Sequence, residues 1–149
     1  MRCALLVAAT MTAALCMSSC DDEPIGWDTR CLCTTEFAQI MVTVLDERGW
    51  LLSDIRLEIT MNRTGHKIDT SLLYHRRQCG EYAIFNDAFI SLIDPAFRAM
   101  GEEIRVVGFR DVIAFDRIFV IGVPGLCECH VQKYEGPDTI VVQCKDRTF

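Results

Sequence analysis

The sequence predicts an all-β domain: an antiparallel sandwich of about seven strands with one short helical insertion. Three observations carry that prediction. Apolar side chains alternate with polar ones in short runs between residues 37 and 144. Turn residues separate the runs at short intervals. The chain holds no internal repeat and no low-complexity tract.

The strands are expected in this order. Residues 37–46 place Ile40, Val42 and Val44 on one face and Met41, Thr43 and Leu45 on the other. Both faces are apolar, as in a strand covered on two sides, and the β-branched content suits a strand. Asp46-Glu47-Arg48-Gly49 is a turn. Residues 54–61 alternate most clearly, with Ile55, Leu57, Ile59 and Met61 inward and Arg56, Glu58 and Thr60 outward. Asn62-Arg63-Thr64-Gly65 turns the chain, and Ile68 is placed in a short edge strand. Residues 80–85 resume strand character.

The insertion follows at residues 87–101. Asp94 is expected to cap a short helix, with Pro95 at its first position and Gly101 at its end. Strands are then expected over residues 102–109, around Ile104 and Val106, and over 112–123, centred on 118–121. Residues 126–134 come next, with Cys127, Cys129 and Val131 on one face. After a turn at Gly136-Pro137-Asp138, Ile140, Val142 and Cys144 alternate inward.

The first residues read differently. Arg2 carries the only charge before an apolar run ending at Met17, and Ser18-Ser19-Cys20 follows. A charge, an apolar stretch and small residues, in that order, make a secretory signal. The run is shorter than a membrane-spanning helix requires. Small residues directly before a cysteine resemble the lipidation box of bacterial lipoproteins, although Met17 stands where Leu is usual. The resemblance implies a thioether-linked lipid on Cys20, which would hold the chain to a membrane through buried methylenes worth about 0.8 kcal/mol each. Asp21-Asp22-Glu23-Pro24 reads as a solvated linker. The chain therefore divides into a signal peptide (1–19), a lipidated cysteine with an acidic linker (20–30) and a disulfide-stapled sandwich domain (31–149).

About 130 residues remain after the signal, enough for one domain with its own core. The net charge of −6 becomes −7 once Arg2 is removed. That balance excludes a basic nucleic-acid footprint and disfavours direct binding to anionic lipid.

Six cysteines follow the linker: Cys31, Cys33, Cys79, Cys127, Cys129 and Cys144. An even number in an exported domain predicts disulfides, with 15 pairings open. If Cys127 and Cys129 share a strand face, they can meet Cys31 and Cys33 on a neighbouring segment, which leaves Cys79 for Cys144.

The alternating aliphatics and turn glycines resemble the carboxypeptidase regulatory-like, transthyretin-like sandwich, an Ig-like architecture. The residues concerned are Val42-Thr43-Val44-Leu45-Asp46-Glu47-Arg48-Gly49, Leu52, Ile55-Arg56-Leu57-Glu58-Ile59, Gly80-Glu81-Tyr82 and Ile104-Arg105-Val106-Val107-Gly108-Phe109. The segment 87–101 has no counterpart there. The resemblance implies a non-catalytic accessory domain of an exported protein.

Candidate chemistry is sparse. The Cys-x-Cys pairs have one residue between their cysteines, where zinc sites have two to four. Strand alternation turns His130 away from Cys127 and Cys129, towards solvent. His66 and His75 are expected on the surface. Ser53 and Ser71 lack a glycine-flanked elbow. Glu102 and Glu103 diverge on a strand, so they make a poor acid–base pair. Trp50, beside a turn glycine, is the aromatic most suited to a binding patch or to covering the sandwich end.

No catalytic residue, metal or cofactor is expected. The expected role is protein interaction or envelope structure, outside the cytoplasm, with the membrane held through Cys20 and an unidentified envelope protein as partner. The alternative is a metal- or small-ligand-binding module built on the Cys-x-Cys pairs and His130.

Overall fold

The computed structural model describes Cys33, residues 36–125 and residues 127–143. Within them the period-2 pattern folds into seven strands. These are β1 (Gln39–Asp46), β2 (Arg56–Met61), β3 (Glu81–Asn86), β4 (Glu102–Arg110), β5 (Val112–Gly122), β6 (Gln132–Glu135) and β7 (Thr139–Val142). They form two sheets, one of order β3-β1-β7 and one of order β2-β4-β5-β6.

The inward residues meet in a single hydrophobic cluster. Ile40, Val42, Val44 and Ile140 come from the smaller sheet, and Leu57, Ile59, Met61, Ile104, Val106, Phe119 and Ile121 from the larger. The predicted inward sets of β1 and β2 are all buried. Ile68 is buried as well. Its N–H donates to the Ile59 carbonyl at 2.9 Å, so the chain after β2 folds back along that strand's edge.

Four of the five strand pairs are antiparallel, as expected. The exception is β7, which runs parallel to β1 and pairs Val44 with Ile140. Gly136-Pro137-Asp138 does not close a hairpin. It carries the chain from the edge of the larger sheet to the edge of the smaller, and the Thr43 N–H donates to the Asp138 carbonyl at 2.8 Å. A side chain cannot follow this path, because Gly136 has φ +115° and a Cβ there would lie 2.3 Å from the Phe119 ring.

Two local expectations need correction. The helical turn lies at Asp87–Leu92, as a 3₁₀ helix whose first turn is capped by the Asn86 side chain accepting from the Ala88 N–H at 3.0 Å. Asp94 does cap, accepting from the Ala96 N–H at 3.0 Å, and the Gly101 N–H closes on the Phe97 carbonyl at 2.6 Å. Between them the backbone forms successive turns without a regular helix, since so short a segment repays little of the nucleation cost. Residues 127–129 form no strand either. Glu128 adopts φ +46°, which breaks the alternation, and β6 begins only at Gln132. Among the described residues no helix is long and apolar enough to cross a membrane.

Candidate functional site

The strand directions sort the molecule into two ends. β1 begins at the end that holds Cys33 and finishes at the loop carrying Trp50; β7 runs the same way. β4 begins and β5 finishes at the Cys33 end. Polar side chains gather mainly at that end.

There Cys33 is bonded to Cys129 across a sequence separation of 96, with the Cα atoms 5.5 Å apart. This is one of the two bridges expected between the Cys-x-Cys pairs. A shared strand face does not bring it about, because residues 127–129 form no strand. The bridge forms because those residues and the segment entering β1 meet at the same end. Cys31, Cys144 and Cys20, the cysteine expected to carry the lipid, lie outside the described residues. Cys79 is exposed at the end of the Arg77–Cys79 turn and has no disulfide partner among the described residues. Since β1 stands between β3 and β7, Cys79 and the end of β7 flank opposite sides of it.

Beside the bridge sits Asp87, whose side chain is 11% exposed. Its Oδ2 accepts from the Ala38 N–H at 2.8 Å and lies 2.7 Å from His130 Nδ1; its Oδ1 accepts from the Val131 N–H at 2.8 Å. The Asp87 N–H in turn donates to the Ala38 carbonyl at 3.1 Å. Burial works against the Asp87 charge. The His130 ring and the Val131 and Ala38 N–H groups outweigh it and hold the carboxyl below the usual carboxylate range. His130 therefore does not simply face solvent. The expectation relied on strand alternation, which residues 127–129 do not keep.

One carboxylate thus joins three separate stretches of chain: the segment entering β1, the 3₁₀ turn and the loop that bears Cys129. Sequence reasoning missed Asp87. Its position after Asn86 suggests a helix cap, but its partners lie 43 to 49 residues away.

A second polar cluster lines a shallow cleft of about 370 Å³ between Asn62, Arg63, Phe97, Gly101, Glu102 and Glu103. The buried Glu102 carboxylate accepts from Arg63 Nε at 3.1 Å and from the Asp94 N–H at 3.2 Å. Arg63 also lies 3.5 Å from the Asp94 carboxylate and 5.2 Å from the Phe97 ring centre. Asn62 donates to Glu103 at 2.7 Å. Glu102 and Glu103 diverge, as expected, and these polar groups bind one another across the cleft. The arrangement pins the 94–101 turns to the end of β2.

His75 also departs from its expected surface position. It is half-buried and accepts from the Ala83 N–H at 3.2 Å. Burial, helped by the nearby Arg77 charge, pushes its imidazole below the ordinary histidine range. His66 is exposed as expected. Trp50 is 70% exposed, at the end opposite the bridge, where Val112 and Ile113 are also exposed. Asp54 and Arg110 pair there at 2.8 Å and join the β1–β2 loop to the β4–β5 hairpin.

Cys33 and Cys129 are bonded to each other, and His130 turns its Nδ1 to Asp87. Among the described residues no three His, Cys, Asp or Glu side chains are grouped to hold a metal ion. Comparisons with family models, curated proteins and solved structures find no match.

Proposed function

We propose that the chain is an exported lipoprotein, tethered to a membrane of the bacterial cell envelope through Cys20, whose sandwich serves protein interaction or envelope structure without catalysis. The observation that carries this reading is the Cys33–Cys129 bridge. Disulfides persist in oxidising compartments and are rare in the cytoplasm. A bridge in a sandwich that follows Ser18-Ser19-Cys20 supports export with retention of the N-terminal cysteine.

The seven-strand, two-sheet architecture supports an accessory sandwich of the transthyretin-like kind. The converging polar groups support a structural role. Asp87 holds backbone N–H groups and His130, while Arg63, Glu102 and Asp94 hold one another.

The test is expression in a bacterial host with Cys20→Ser alongside. The wild-type chain is expected in the membrane fraction, with a mature N-terminal Cys20 carrying acyl mass and no residues 1–19. Cys20→Ser is expected to lose the acyl mass and the membrane association. A wild-type chain that retains residues 1–19 or stays in the cytoplasm with reduced thiols would sink the proposal.

A further inference from the structure

The bridge and Asp87 fasten the same two stretches of chain. Cys33 precedes Ala38 by five residues, and Cys129 directly precedes His130 and Val131. The disulfide joins these stretches covalently; the Asp87 carboxylate joins them by accepting from Ala38 and Val131 and by meeting His130. Each fastening holds the chain where the other needs it. Cys33, Glu36 and Phe37 are exposed and lie outside the hydrophobic cluster, and Ala38 only touches its margin. Among the described residues the strands of both sheets begin at Gln39 and the buried core at Ile40, after that arm. Cys33 is exposed, so its bridge is open to thiol reagents.

We propose that Asp87 and the Cys33–Cys129 bridge are coupled halves of one clasp, so that reducing the bridge loosens the N-terminal arm while the sandwich stays folded. In the reduction two thiols of a reductant replace the bridge. The Cys33–Cys129 sulfur–sulfur bond breaks, the two cysteines take up two electrons and two protons, and the reductant leaves as a disulfide. Without the covalent half, Asp87 holds Ala38 against a freely moving arm. Opening shifts the point where the chain leaves the sandwich from Cys33 towards Gln39, about 20 Å of extended chain. Coupling is reciprocal, so weakening Asp87 must also make the bridge easier to reduce. Neither half involves Cys20, and the coupling stands or falls independently of the anchor.

The experiment equilibrates the full chain in glutathione buffers, traps thiols by alkylation and reads the Cys33–Cys129 pair by peptide mass. Asp87→Asn is expected to lower the equilibrium constant for the bridge by roughly five-fold or more. Tyr82→Phe, which removes a buried hydrogen bond at the far end, is expected to leave it unchanged, because it weakens oxidised and reduced folds alike. An unchanged constant in Asp87→Asn, or an equal shift in both variants, overturns the proposal. Should Asp87→Asn fail to fold, amide exchange of the wild-type chain decides. Reduction is expected to speed exchange at Ala38 and Val131 at least ten-fold while Ile104 and Val106 keep their protection. Unchanged rates at Ala38 and Val131, or loss of protection in β4 as well, overturns it.

Discussion

Asp87 shows how much one side chain can hold in a small sandwich. Its carboxylate serves two backbone donors and an imidazole, in a setting that keeps it ionised against the effect of burial. Asp87→Ala strands both N–H groups and is expected to cost roughly 2–3 kcal/mol, measured by urea unfolding at neutral pH. The pH dependence follows from the direction of the shift. A carboxyl held lower in the fold than in the unfolded chain contributes stability above its unfolded value, near 3.9, and loses it as pH falls through the folded value. His75 acts at a higher pH. Its imidazole is held below the ordinary value near 6.5, so the unfolded chain takes up a proton first and stability declines as pH drops below that value. Unfolding midpoints between pH 8 and 3 should therefore fall in two windows. His75→Gln should flatten the upper window, and Asp87→Asn the lower one.

At the scale of elements, Tyr82 ties the loop that crosses from one sheet to the other to an edge strand of the smaller sheet. Its hydroxyl donates to the Leu52 carbonyl at 2.9 Å and accepts from the Ile55 N–H at 3.0 Å, which ties the β1–β2 loop to β3. Tyr82→Phe leaves both backbone groups buried without a partner and should lower stability by roughly 1–3 kcal/mol. Thermal unfolding followed by far-UV circular dichroism checks this; an unchanged midpoint would mean that water replaces the hydroxyl.

Elements were legible in the sequence where burial alone sets the pattern. The inward sets Ile40, Val42, Val44 and Ile55, Leu57, Ile59, Met61 could be read directly, since alternation records which face is dry. What failed was local geometry decided by distant partners. Nothing near Glu128 announces its positive φ, which accompanies a bridge to Cys33 and an ion pair with Arg98. Nothing near Thr139 announces a parallel partner, because the crossover depends on Gly136 fitting against Phe119. The candidate site was legible only in its cysteines. Asp87, Ala38 and Val131 carry no spacing signal, since their contact is created by the fold.

For the whole molecule, a single core beneath two sheets should unfold as one unit, because neither sheet can bury its inner face without the other. Val44 lies in the smaller sheet and Ile104 in the larger, and both are fully buried in the same cluster. Ile104→Val should cost roughly 0.5–1.5 kcal/mol, and Val44→Ala somewhat more because it deletes a larger volume. In an oxidised domain of this size each kcal/mol lowers the midpoint by roughly 3–6 °C. Both variants should shift one transition, seen identically by circular dichroism and by calorimetry, with the calorimetric and van't Hoff enthalpies in agreement. Trp50 is exposed at the far end and gives little signal of its own, so probes spread over both sheets are needed. Two separate transitions, one moved by each variant, would show that the sheets unfold independently. A shared core then could not be what holds the sandwich together.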